Sequence, residues 1–248
     1  MEEPQDQPDQ NEPSAPRSKQ ILLVLVPVLL AVGIGAVAYL VFFTANNPSK
    51  PYEKGAFNQA IGSLDNYTLS GDAAGQGMSF AKPANYVLYA KGESKDQASF
   101  SDTTHQGKVT APLGAIHVAS VSTVGSKTQP ANYFKLAFAG NNKAAYQQAQ
   151  KSIDDFVKGR FSNLYDRHYG TATPFSSVRL KTNAWKLDFD ATPQKKYASP
   201  ILENYRGEII VAAGQKAYYY FFAYNTTYNW DNNSATWARV FNSLEIDQ

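Results

Sequence analysis

The 248-residue chain contains no cysteine. That excludes disulfides, cysteine-ligated zinc, iron–sulfur clusters, thiol catalysis and a lipidated-cysteine anchor. Histidine is nearly as scarce: His105, His117 and His168 are the only three, and no two fall within five residues of each other. No His-x-x-x-His or His-x-Glu spacing presets ligands on one face, so no metal and no cofactor are expected. A formal charge of +2 with no concentrated basic stripe excludes a nucleic-acid partner. Gly-x-Ser-x-Gly, Walker-type and dinucleotide-binding loops are missing too, since Gly33-Ile-Gly35 lies inside an apolar run. These absences remove most readings as an enzyme.

What is present falls into three materials in series. Residues 1–20, MEEPQDQPDQNEPSAPRSKQ, hold four prolines and almost nothing apolar. Such a segment cannot bury enough surface to offset its ordering entropy, and it reads as a disordered tail. Residues 21–43, ILLVLVPVLLAVGIGAVAYLVFF, carry no charge. About 20 apolar residues span a hydrocarbon core of roughly 30 Å, so this is expected to be a single transmembrane helix. Pro27 and the Gly33/Gly35 pair are tolerated in such a helix. Ala36-Val-Ala38 offers a small-x-small cleavage site, but the apolar run continues to Phe43 and exceeds a signal-peptide core. Arg17 and Lys19 flank its start, whereas the first cation beyond it is Lys50. The bias predicts a cytoplasmic N-terminus and an extracytoplasmic C-terminal domain at a plasma membrane. Three Asn-x-Ser/Thr triplets, beginning at Asn66, Asn225 and Asn232, are expected by chance in a chain rich in these residues.

The remainder reads as a linker with a short helix (44–69) and a globular domain (70–248). Residues 45–248 hold 21 Lys+Arg and 16 Asp+Glu, a charge of +5. Phe57, Ile61 and Leu64 stand at helical spacing. Strands are expected over Met78–Pro83, Tyr86–Lys91, Ala98–Ser101 and Ala115–Val124. A long amphipathic helix is expected from Asn142 to Tyr165, capped by Asn141 or Asn142, with Ile153 and Val157 on its apolar stripe. Further strands follow at Ser177–Lys181, Trp185–Asp190, Glu208–Ala213 and Ala217–Tyr224, the last two joined by a Gly214-Gln215 turn. Trp237, Phe241 and Leu244 mark a closing helix, with Asp231 or Asn232 as cap. Strands and helices without strict βαβ alternation predict an α+β fold, an antiparallel β-sheet packed with helices on its faces.

Several of these segments carry a resemblance. They are the opening strand Gly77-Met-Ser-Phe80-Ala-Lys-Pro83, the long middle helix, the aromatic strand Tyr218-Tyr-Tyr-Phe-Phe-Ala-Tyr224, and a closing helix with Trp230, Asn233, Phe241, Ser243 and Leu244. Over residues 70–246 the chain resembles the PsbP-like superfamily. That resemblance implies an α/β/α sandwich and a membrane-anchored, bacterial envelope protein. It implies no particular function, since members include a photosystem subunit, a Ran-binding factor and envelope lipoproteins. No family metal or partner site carries over, because no matching ligand cluster is present.

Three groups of residues stand out as candidates. Asp188 and Asp190 share a strand face, the geometry a general acid–base pair needs, though alternation with Leu187 and Phe189 equally describes a solvated face. The aromatic strand puts Tyr218, Tyr220, Phe222 and Tyr224 on one side, and Tyr219 with Phe221 on the other. One side is expected under helices, and the other either is covered too or stacks on a partner. Lys181, Lys186, Lys195 and Lys196 gather near the same strands, where they suit an anionic surface or a soluble rim. The reading reached is a non-catalytic single-pass membrane protein whose domain binds an envelope protein or glycan. Tyr218, Tyr220, Tyr224, Lys186, Lys195 and Lys196 form its expected partner surface. The competing reading is an envelope hydrolase or transferase using Asp188 and Asp190 in a cleft; a third is a spacer with no ligand.

Overall fold

The computed structural model describes residues 61–70, 77–89, 94–102, 113–123, 133–160, 164–193, 204–214 and 216–246. All of them belong to one unit, Ser49–Gln248. The expected tail, the 21–43 span, most of the linker, and Lys195 with Lys196 lie outside the described residues. Among the described residues, no helix is long and apolar enough to cross a membrane.

The chain begins with β1 (Leu64–Leu69), β2 (Met78–Pro83), β3 (Tyr86–Leu88), β4 (Gln97–Asp102) and β5 (Gly114–Ser122). Two helices follow, α1 (Tyr133–Ala139) and α2 (Lys143–Arg160). Then come β6 (Leu164–Tyr169), β7 (Thr173–Phe175), β8 (Asn183–Pro193), β9 (Tyr205–Ala213) and β10 (Ala217–Thr226). Helices α3 (Thr227–Asn232) and α4 (Ser234–Asn242) and the short β11 (Glu245–Ile246) close it. The main sheet runs β3-β4-β5-β10-β9-β8-β6 with β7 also paired to β8, and β1-β2-β11 form a second sheet. Each of these pairings is antiparallel. The α+β expectation therefore holds in its sheet and in the placing of helices on both faces.

β10 sits near the middle of the main sheet and is buried along its whole length. A strand covered on both sides must be apolar continuously rather than alternately, and its run of aromatics supplies that. Tyr218, Tyr220 and Phe222 face α1 and α2, packing with Leu187, Phe189 and Ile153. Tyr219 and Phe221 face α3, α4 and the small sheet, packing with Trp237, Phe241 and Phe80. Each such fully buried side chain contributes about 1.5–3 kcal/mol. Phe156 of α2 stacks on Tyr220 with ring centroids 4.5 Å apart, and Ser152 Oγ lies 2.8 Å from the Tyr220 hydroxyl. Between β8 and β10, Gly207 leaves room for close approach. A Cβ there would be driven into the Ala223 carbonyl and to 2.8 Å from the Tyr224 Cβ.

Residues of the closing segment tie the β1–β2 region to helices α3 and α4. The Asn233 side-chain oxygen accepts from the Ile61 amide at 3.1 Å. Ser243 Oγ accepts from the Ala81 amide at 2.7 Å, pinning β2 to the end of α4. Trp230 stacks on Trp237 at 4.8 Å.

Several expectations are corrected. Leu64 opens a strand paired with β2 rather than closing a helix, so 64–69 belongs with the folded unit. The long helix stops at Arg160, not Tyr165, and Leu164–Tyr169 is a strand on the β8 edge. Gly159 weakens the last helical turn, and pairing with β8 supplies the alternative. Its start is as expected: Asn142 Oδ1 accepts from the Ala145 amide at 3.1 Å. His168 is consequently a strand residue, not a helix-terminal cation. Ser177–Lys181 is not a strand; Thr173–Phe175 pairs with β8 instead. Two helices close the chain, split at Asn233: Asn233 rather than Asp231 or Asn232 stands at the cap position of the one holding Trp237 and Phe241, and Thr226 caps the one before it.

Candidate functional site

Strand parity decides which candidate residues can meet. In the main sheet Phe189, Gly207 and Tyr224 lie directly opposite one another, and so do Asp190, Arg206 and Asn225. Directly paired residues share a face. The tyrosines Tyr218, Tyr220 and Tyr224 therefore belong to the face of Phe189, and Asp188 and Asp190 to the other. A cleft lined by both sets is ruled out.

The expectation that Tyr218, Tyr220 and Tyr224 form a partner surface is corrected as well. All three are buried beneath the covered face. Burial pushes the Tyr218 phenol up to about 12 and raises Tyr220 and Tyr224 in the same direction, so all three remain neutral. Their physical task is packing. Lys186 is half-buried, and its ammonium donates to Glu208 Oε1 at 3.2 Å.

What reaches solvent is the opposite face of β8 and β9. Along β8, Leu187 and Phe189 are buried while Asp188 and Asp190 are exposed. On β9, Arg206 is exposed and Glu208 half-buried. Further along the same face Ile210 and Ala212 disappear under cover. The uncovered strip therefore begins where this cover ends.

Its charges are linked across strands. Arg206 donates through Nε to Asp190 at 3.4 Å and through its terminal nitrogen to Asp231 of α3 at 2.8 Å. Asp188 lies directly opposite Glu208. Like charges opposed across a sheet destabilise it. Burial first raises the Glu208 carboxyl, Lys186 draws it back down, and Asp188 pushes it up again. The carboxylate pair read from sequence is thus re-partnered: Asp190 belongs to Arg206, and Asp188 faces Glu208. His168 stands beside Asp190 in the β6–β8 register and is exposed. Just before it, a register shift in β6 contains Asp166 with φ 42°, a left-handed conformation that Asp adopts more readily than most residues.

Sequence reasoning missed Arg206, Glu208, Asp231 and His168 as members of this strip. The signal available for the first two was the alternation of Arg206 and Glu208 with Tyr205, Gly207 and Ile209, the same half-buried pattern as in β8. Among the described residues, no group of three or more His, Asp or Glu could hold a metal ion.

No family model and no curated protein matches the chain. Among solved structures it is similar to cyanobacterial PsbP from Synechocystis sp. PCC 6803, at 13% identity and a TM-score of 0.46, over 76% of this chain and 96% of that one. It is similar to LpqN of Mycobacterium tuberculosis, a protein involved in cell envelope biogenesis, at 9% identity and 0.39, over 77% and 99%. The Ran-binding protein Mog1p of Saccharomyces cerevisiae gives 10% identity and 0.38, over 74% and 96%.

Proposed function

We propose that the chain is a single-pass membrane protein, cytoplasmic at its N-terminus, whose extracytoplasmic domain binds an envelope protein non-catalytically through the exposed β8–β9 strip. One observation carries this reading: the sheet is covered by helices on both faces, yet Asp188, Asp190 and Arg206 stand uncovered in one charged row. Charged strips of this kind set the specificity and rate of association more than its affinity. The anchor rests on the apolar run 21–43 and its flanking Arg17 and Lys19.

The test is site-specific photo-crosslinking in cells expressing the full chain. A photoreactive side chain at Asp188 is expected to capture a discrete partner band, and one at the exposed Gln148 on α2 is not. Equal bands from both positions, or none from either, would sink the proposal. A reporter active only in the cytoplasm, fused after Gln248, is expected to stay silent.

The hydrolase or transferase reading retains one supporting observation, the burial-raised Glu208 carboxyl opposite Asp188. Glu208→Gln separates the two readings. If Glu208 is catalytic, this variant reproduces whatever phenotype deletion of the protein gives, while crosslinking from Asp188 persists.

A further inference from the structure

On the opposite, helix-covered face, a second group of polar side chains is left incompletely satisfied at the β4–β5 edge. Two neighbouring cross-strand rows define it. In one, Tyr220, Ala119 and Gln97 lie side by side; in the next, Phe222, His117 and Ser99 do. Phe156 of α2 covers Tyr220, and Arg160 follows one helical turn later. The Arg160 side chain passes its own Phe156 ring at 5.6 Å and donates to Gln97 Oε1. Its guanidinium therefore ends at the first row, beside the row of His117.

Arg160 and His117 both have unused capacity. Among the described residues, no carboxylate pairs with the half-buried Arg160; its one hydrogen-bond partner is a neutral amide oxygen. A guanidinium offers five N–H donors, most useful in pairs to a planar oxyanion. His117 is only 6% exposed, with Nδ1 2.8 Å from Ser99 Oγ. Its Nε2 is buried and has no hydrogen-bond partner. A buried, unmatched ring nitrogen costs free energy unless something pairs with it. The helix C-terminus accounts for a cation in this turn. It does not account for Arg160 leaving the helix to reach a strand side chain while Lys158, in the same turn, pairs with Asp154.

We infer that Arg160, His117 and Gln97 form a binding site for a small oxyanion, a carboxylate or phosphate group. Arg160 supplies paired charged donors, and the Gln97 amide nitrogen a further one. Ser99 donates its hydroxyl to Nδ1, which leaves His117 as the Nε2–H tautomer with a donor to offer the anion. An anion bound here takes the place of the Gln97 oxygen as acceptor for Arg160. The site lies on the face opposite the β8–β9 strip and does not depend on the partner reading.

The experiment uses the full chain, labelled with 15N at histidine. Ring resonances of His117 are assigned by elimination with His105→Gln and His168→Gln. Sodium phosphate and sodium acetate are each titrated against a chloride control at constant ionic strength. A saturable shift of the His117 ring with either anion is expected, and comparing the two salts tells phosphate from carboxylate. Arg160→Gln should weaken the response about tenfold or more, as loss of a charged hydrogen bond would. Lys158→Gln, one cation fewer in the same turn, should change it by no more than about twofold. No saturable shift with either anion would overturn the site, and so would equal weakening by Arg160→Gln and Lys158→Gln.

Discussion

Asp188 and Phe189 are neighbours in sequence, share one strand, and live in different solvents. Phe189 is fully buried against Phe222 at 4.8 Å, under helices α1 and α2. Asp188 looks out from the opposite face. The two faces of β8 differ in what folding asks of them: one packs aromatic rings, and the other carries charges that packing does not need, the strip proposed above to bind a partner. The sharpest way to break this contrast is to truncate both residues and compare chemical denaturation. Phe189→Ala should cost roughly 3–5 kcal/mol, the range for emptying a buried aromatic site. Asp188→Ala should stay within about 0.5 kcal/mol. Similar losses at both positions would mean that the strip is structural after all.

Acid should attack the covered face as well. Burial first, and the Arg160 charge second, push His117 down to about 3. The native state then binds fewer protons than the unfolded chain, whose histidine titrates near 6.5. Stability is therefore full above pH 6.5 and falls as pH drops toward 3. At pH 4 the loss from this one ring is on the order of 3 kcal/mol. Asp154 adds a second loss lower down. Burial raises its carboxyl, but hydrogen bonds from Arg167, Lys158 and Tyr169 overcome that and hold it at about 2. Its contribution is present above about 3.8 and disappears as pH falls toward 2. His117→Asn should flatten the stability profile between pH 6.5 and 4 while leaving the steeper acid limb in place. An unchanged slope would mean that His117 is not held neutral.

The close approach of β9 to its neighbours gives a smaller effect. Gly207→Ala should cost about 1–3 kcal/mol, the usual range for overpacking. A second glycine on the exposed rim, Gly62, has open space where a methyl would sit and should tolerate alanine. Thermal midpoints of the two variants measure the difference directly.

How much of this was legible beforehand follows the same division. Wherever burial writes a strong pattern, the sequence was readable: the alternation of β8, the continuous apolar run of β10, and the Ile153/Val157 stripe of α2 all lie where periodicity puts them. Local pattern failed where long-range pairing decided the outcome. Phe161 and Leu164 continue a helical spacing, yet pairing of Leu164 with Pro193 makes Leu164–Tyr169 a strand. The candidate site failed for the same reason. Asp188 and Asp190 look like a pair along the strand, but their partners, Glu208 and Arg206, come from the next strand. Register is a property of two strands, and one strand read alone does not contain it. The tyrosines erred in the other direction: one side of the strand was read as free to stack on a partner, while the rings on both sides of β10 are needed to fill two cores.

The smallest stability effect should accompany the largest functional one. Solvent-accessible ion pairs contribute about 0–1 kcal/mol, so the Lys186–Glu208 pair is nearly dispensable for folding. Exchanging its ends, Lys186→Glu with Glu208→Lys, keeps a pair across the strands and places a cation opposite Asp188, relieving the like-charge contact there. The double variant should therefore be as stable as the parent, or slightly more so, in urea. Its polarity along the strip is nevertheless reversed at that step. A partner that recognises the row by its charges will lose crosslinking from Asp188 in a fully folded protein, because charge order sets specificity while contributing little to stability. Retained crosslinking in the exchanged protein would show that the partner reads some other feature of this face.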